Sequence, residues 1–86
     1  METREHKLKR LHMRSMRRGI KEMDLILMHY AKDKLEGMSD QGLDHYDALL
    51  SENDQDLYQW CSGQVMPNAE FAELILDIRT HITDRF

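Results

Sequence analysis

Apolar residues recur along this chain at three- and four-residue steps almost throughout, the spacing of one face of an α-helix. Leu8 and Leu11 share a stripe that predicts a first helix over residues 3–16. Ile20, Met23, Leu27, Tyr30 and Ala31 make a second stripe, over residues 20–35. Gly37 stands where a helix-ending glycine is expected, and Lys32 and Lys34 suit the last turn. Ser39 or Asp40 is a good N-cap for a third helix that buries Leu43, Tyr46, Leu49 and Leu50. Asn53 opens a short fourth helix burying Leu57, Trp60 and Cys61, and Gly63 ends it. Pro67-Asn68 opens a fifth, with Asn68 as N-cap and Phe71, Leu74, Ile75, Ile78 and Ile82 as the cleanest stripe of all. No segment alternates with period two over strand length, and no hairpin dipeptide such as Asn-Gly occurs. The pattern predicts an all-α fold, a compact five-helix bundle with short loops that takes up residues 1–86 as one domain.

A chain of 86 residues has a thin core for its surface. It carries no apolar run long enough to span a bilayer. A single cysteine, Cys61, excludes an intrachain disulfide and fits a reducing compartment. The net charge of −4 is unevenly spread. Residues 1–18 hold seven cations (Arg4, Lys7, Lys9, Arg10, Arg14, Arg17, Arg18) against Glu2 and Glu5, a local +5 that leaves −9 for the rest. Such polarity favours an oriented encounter with a partner of mixed charge. Glu2 and Glu5 argue against a mitochondrial transit peptide, which is poor in acids, and no apolar stretch suits secretion. The N-terminus reads as part of the mature fold, and the compartment as the bacterial cytoplasm.

The candidate chemistry gathers at Arg17-Arg18-Gly19-Ile20-Lys21-Glu22-Met23-Asp24, between the basic segment and the first long apolar stripe. Glycine visits left-handed backbone cheaply and lets another backbone approach closely. Capping alone accounts for part of the stretch: with Gly19 as N-cap, Glu22 falls at N3 and reaches back to the Gly19 amide. Capping does not account for Arg17, Arg18 and Lys21, since cations near a helix N-terminus are unfavourable. A cluster that costs local stability points to a partner. In the fourth helix, Leu57 and Trp60 share one face, so Trp60 reads first as core, and Asp54 and Asp56 as first-turn acids. The acidic run from Asp40 to Asp56 reads as a solvated face. The five histidines, His6, His12, His29, His45 and His81, lack metal-ligand spacing and read as surface residues. Cys61 reads as a small buried hydrophobe.

Arg18-Gly19-x-x-Glu22 resembles the Arg-Gly-x-x-Glu signature of the succinate dehydrogenase flavinylation factors, also called succinate dehydrogenase assembly factor 2. Asp24-Leu25-Ile26-Leu27 follows it as in members of that family. Asn53-Asp54-Gln55-Asp56-Leu57-Tyr58-Gln59-Trp60 resembles their Asp-Pro-Asp-Leu-aromatic-x-Trp segment, with Gln55 where many members have proline. The likeness covers most of residues 14–82.

The resemblance implies a non-enzymatic assembly chaperone. Its partner is the flavoprotein subunit of succinate dehydrogenase, often that of fumarate reductase as well, and it promotes covalent attachment of FAD to a histidine of that subunit. The factor would contribute pre-organisation and electrostatic support for the reactive flavin tautomer. By the same resemblance Arg18, Gly19 and Glu22 face the partner, supported by Arg17 and Asp24, with Asp54, Asp56 and Trp60 as a secondary motif. The chain itself has no Gly-rich phosphate turn after a strand, so it is expected to bind no FAD stably, no metal and no nucleic acid, and to be a monomer or weak dimer. Two other readings stay in play. One is a nucleic-acid-binding or regulatory module with the basic first helix on phosphates. The other is a small acid–base enzyme, for which no His–carboxylate constellation is visible.

Overall fold

The computed structural model describes residues 2–85. Five α-helices follow one another: α1 (Arg4–Arg14), α2 (Lys21–Lys34), α3 (Asp40–Leu50), α4 (Asp54–Cys61) and α5 (Ala72–Arg85). Single 3₁₀ turns, Leu35–Gly37 and Ala69–Phe71, follow α2 and precede α5. No strand occurs among the described residues, and none of their helices is long and apolar enough to cross a membrane. The all-α expectation holds.

Three of the helices, α1, α3 and α4, begin where a short polar side chain takes an orphan amide. Thr3 Oγ1 accepts from the His6 amide, Ser39 Oγ from Gly42 and Asn53 Oδ1 from Gln55. Helix α2 differs: its N-cap is Ile20, with no side-chain hydrogen bond, and not Gly19. Gly37 does not end α2 in a left-handed turn; the helix tightens into a 3₁₀ turn instead. Gly63 does take the left-handed cap, at φ 82°. Asn68 caps the 3₁₀ turn before α5, without a side-chain bond.

The predicted stripes meet in one core. Leu11, Met23, Leu27, Tyr30, Leu43, Tyr46, Leu49, Leu57, Ile75 and Ile78 are all buried, with Trp60 and Phe71 beside them at a ring separation of 6.2 Å. Ile20 and Ile82 pack on its edge. The Cα radius of gyration, 12.1 Å, matches the ~12 Å expected of a compact chain this long. Two buried polar groups sit in the core. Ser15 Oγ donates to the Leu11 carbonyl at 2.8 Å, so its 2.6 Å contact with Tyr46 is donated by the Tyr46 hydroxyl. Burial pushes the Tyr46 hydroxyl up to about 12, which keeps it a donor. His81 is only 8% exposed: its Nε2 lies 2.8 Å from Asp33 and its ring stands edge-on to Tyr30. His81 is therefore not a surface histidine, and His45 also leaves that class by packing on Phe71.

The acidic run is solvated, with the Asp40 and Asp44 side chains 76% and 67% exposed, but its acids are not idle. Down the seam between α1 and α3, Arg4 pairs with Asp40 at 2.8 Å and Lys7 with Asp44 at 2.7 Å. Arg10 makes two 3.0 Å bonds to Asp47 and also holds Glu2, while Arg14 reaches Asp47 and Ser51. The cations at 4, 7, 10 and 14 and the acids at 40, 44 and 47 follow the same helical repeat, so the charge separation along the sequence closes on itself. Residues 4–14 are thus a packed helix of the fold.

Asp47 anchors this ladder. The Arg10 hydrogen bond holds its carboxyl below the usual range, partial burial opposes that, and the Arg10 and Arg14 charges add to it. A carboxyl whose pKa falls on folding stabilises the fold fully above its unfolded value of about 3.9 and loses that contribution as the pH drops through the folded value. Asp47→Asn is expected to cost ~1–2 kcal/mol at neutral pH and nearly nothing at strongly acidic pH. Urea unfolding across that range checks it. A gap that is the same at both ends would mean that the loss is not electrostatic.

Candidate functional site

Where α1 ends, the chain crosses to α2 through Ser15–Ile20, and this crossing carries the first motif. Arg14 and Leu50 are the last residues of α1 and α3, so their carbonyls have no partner within their own helices. Arg18 supplies it: Nη1 donates to the Arg14 carbonyl at 3.0 Å and Nη2 to that of Leu50 at 3.1 Å. The same guanidinium donates through Nε to Asp54 Oδ1 at 2.7 Å. Asp54 opens α4, where a carboxylate is favoured by the positive end of the helix. One cation therefore joins the negative ends of two helices to the acid at the start of a third. Its side chain is 12% exposed, and that of Asp54 is 22% exposed.

Two carboxylates fix the backbone of the crossing. Asp24 Oδ1 accepts from the Arg18 amide at 3.1 Å, and Asp54 Oδ2 from the Gly19 amide at 2.6 Å. Glu22 does not reach back to Gly19; Asp54 takes that amide from 35 residues away. The residue in left-handed backbone is not Gly19 but Arg17, at φ 55°. Glycine is needed at 19 for room: a Cβ there would stand 3.0 Å from Asp54 Oδ2. A non-glycine residue at positive φ is strained by about 1–2 kcal/mol, and the bonds at residues 18 and 19 hold the turn in place.

The structure thus brings Arg18, Gly19, Asp24 and Asp54 into one hydrogen-bonded unit that joins the two motifs. Arg17, Gly19 and Glu22 are exposed around it, as are Met16 and Lys21, and neither Arg17 nor Glu22 makes a side-chain hydrogen bond or ion pair among the described residues. Asp56 is exposed in the first turn of α4. Trp60 is 5% exposed and belongs to the core beneath. Arg18 is turned inward, so it is not surplus charge at the start of α2. Its cost is offset by Asp54 and by two helix ends, which weakens the inference that the whole cluster destabilises the corner.

A protein-family model described as the flavinator of succinate dehydrogenase matches residues 9–82, a span that holds both motifs. The chain belongs to this family. It is 51% identical over 61 residues to the mitochondrial succinate dehydrogenase assembly factor 2 of Meyerozyma guilliermondii, covering 71% of this chain and 45% of that protein. The protein of the same name from Schizosaccharomyces pombe is 46% identical over 63 residues, 73% of this chain and 45% of its own length. The FAD assembly factor SdhE of Legionella pneumophila is 35% identical over 63 residues, covering 73% of this chain and 80% of that protein. The chain spans about half the length of the two yeast relatives or slightly less.

Among the described residues no group of three or more His, Cys, Asp or Glu side chains could hold a metal ion. Burial pushes the Cys61 thiol up to about 12, so it is almost entirely protonated near neutrality and inert as a nucleophile. Sequence reasoning missed Arg14, Leu50 and Ser15 as parts of the corner. The first two contribute backbone carbonyls, which no side-chain pattern reveals. Ser15 had a signal, since it lies four residues after Leu11 on the same face.

Asp54 is the test of this junction. Asp54→Ala removes the partner of a largely buried guanidinium together with the acceptor of the Gly19 amide. It is expected to lower stability by ~2–4 kcal/mol, whereas Asp56→Ala should cost under about 0.5 kcal/mol. Chemical denaturation of the two variants side by side measures both. Equal losses would remove Asp54 from its place as the link between the motifs.

Proposed function

We propose that this chain is an assembly factor, not an enzyme: it binds the flavoprotein subunit of succinate dehydrogenase and promotes covalent attachment of FAD to it. The flavoprotein subunit of fumarate reductase is a second client. The observation that carries the reading is the joining of the two family motifs at Asp54, on a corner where the exposed Arg17 and Glu22 side chains make no hydrogen bond or ion pair among the described residues. Arg17, Gly19 and Glu22 form the contact face. Arg18, Asp24 and Asp54 hold it rigid from behind, and Trp60 supports α4 from the core. The flavin and a histidine of the client supply the bond-forming chemistry. The factor holds the client so that the two groups meet in a productive geometry, which can account for a large share of the barrier without any catalytic group of its own.

The chain acts on the client's FAD and does not hold FAD stably by itself. In support, the cleft at the corner is about 320 Å³, lined by Arg14, Met16, Arg17, Arg18, Gly19 and Asp54, and is open to solvent. That volume is at the low end for a ligand site. The nucleic-acid alternative loses its main support, because Arg4, Lys7, Arg10 and Arg14 are engaged by α3. The proposed compartment is the bacterial cytoplasm, supported by the Legionella relative, most of whose length this chain covers. The proposed free state is a monomer or weak dimer.

Deleting the protein should leave the flavoprotein subunit present but with much less covalent flavin, read directly as ultraviolet fluorescence of the denatured band. An unchanged band would sink the assignment. In complementation, folded Gly19→Arg should fail to bind client, while Glu22→Ala should retain much of its client binding at physiological salt, where screening weakens any ion pair, but flavinylate poorly. Since any side chain at 19 presses on Asp54, circular dichroism and melting must accompany the first variant. Glu22 makes no side-chain bond among the described residues and only adds a first-turn acid to α2, so its variant gives the cleaner answer.

Calorimetric titration of the purified chain with free FAD at physiological salt should show weak binding or none. A stoichiometric complex at low micromolar FAD would make it a carrier.

A further inference from the structure

Beside Glu22 the surface sinks into a cleft of about 330 Å³ between α2, the end of α4 and α5. Leu25, Ile26, Tyr58, Cys61, Ser62 and Ile82 line it. Its walls are almost wholly apolar, and Glu22 is the one charged residue among the described residues that line it. Leu25 is 45% exposed although it lies on the helix that carries the motif. Leaving an aliphatic side chain in water forgoes stabilisation of the order of 1 kcal/mol. An apolar hollow with a lone carboxylate at its edge matches an apolar side chain that arrives next to a positive charge.

Resting on the function proposed above, we infer that this cleft is the anchoring half of the client interface. Its occupant is a segment of the flavoprotein subunit that places a large aliphatic or aromatic side chain against Leu25, Ile26 and Ile82. A lysine or arginine beside that side chain pairs with Glu22. Charge complementarity selects this occupant. The Glu22 carboxylate makes no ion pair within the described residues, and the arginine of its own motif, Arg18, is committed to Asp54. The arrangement is that of a protein–protein hot spot: an apolar anchor in a pocket, with the charged group at the rim setting approach and register. It also gives Glu22 a part different from that of Arg18 and Gly19. Arg18 shapes the corner from behind, Gly19 leaves room for the close approach of the partner, and Glu22 reads the client.

The test measures binding of the purified flavoprotein subunit at low and high salt. Leu25→Lys should weaken binding at least about ten-fold at both, because the apolar anchor is lost and a cation is set against a cation. Leu25→Ala, which cannot disturb the helix, should weaken it about three-fold. Glu22→Gln should weaken binding several-fold at low salt and much less at high salt, where screening removes the attraction in the parent as well. Leu76→Lys, at a still more exposed leucine on α5 (62%) outside the cleft, should bind as the parent does. Parent-like binding by both Leu25 variants, with Gly19→Arg still defective, would overturn the cleft and leave the corner standing. Parent-like binding by all of them, Gly19→Arg included, would overturn the function itself. Sedimentation of the chain alone completes the set: if Leu25→Lys abolishes a dimer without touching client affinity, the cleft is a self-association surface and the inference falls.

Discussion

The arrangement of this molecule depends on one guanidinium. Arg18 sits at the carboxyl ends of α1 and α3 and against Asp54 at the start of α4. Each of those places is electrostatically suited to it: two helix ends with unsatisfied carbonyls, and a carboxylate stabilised by the opposite end of a third helix. Without it, three helix termini would each need another partner, and a helix of eight residues such as α4 has little intrinsic stability with which to find one. Desolvating a charge is costly, yet here each N–H that points inward meets an acceptor at ordinary distance. Asp54 spends its second oxygen on the Gly19 amide, so the bond that positions α4 also sets the path of the crossing.

The charge economy follows from the same junction. Arg4, Lys7, Arg10 and Arg14 run down α1 opposite Asp40, Asp44 and Asp47 on α3, and Arg18 with Asp54 continues the seam by one more step. Exposed pairs of this kind contribute little singly, but a row of them fixes the register of two short helices. Where the seam ends, Arg17, Lys21 and Glu22 are exposed close together in the sequence. A chain that looked strongly divided in charge thus presents a modest mixed patch, with exposed Met16 on one side and the Leu25 cleft on the other.

The helices were legible because a 3.6-residue period is a local property: Met23, Leu27, Tyr30 and Ala31, or Ile75 and Ile78, announce their buried face within a few turns. Both motifs were legible as strings and by family resemblance. Their meeting was not, since Arg18 and Asp54 are 36 residues apart and no local rule brings them together. The same limit explains the acidic run, whose partners lie on α1. The reading of Gly19 went astray for a different reason. Glycine signals either a left-handed turn or a close approach, and the sequence does not say which; the structure gives the turn to Arg17 and the close approach to Gly19. His81 could have been recovered, because it continues the step from Ile78 on α5, but a polar residue on an apolar stripe was read by type and not by position.

The first motif therefore divides into parts with different physical duties. Its arginine and glycine are consumed by the fold: one clamps three helix ends, the other makes room for a carboxylate to hold its amide. Its glutamate is consumed by nothing among the described residues. A loss of function at Arg18 would always confound recognition with folding, since removing it uncaps α1 and α3 at once. A loss at Glu22 would not, because its carboxylate contributes no recorded bond to the native state. The motif residue whose side chain makes no bond among the described residues is thus the one whose presence most needs a partner to explain it, and it stands between a rigid polar corner and an apolar cleft.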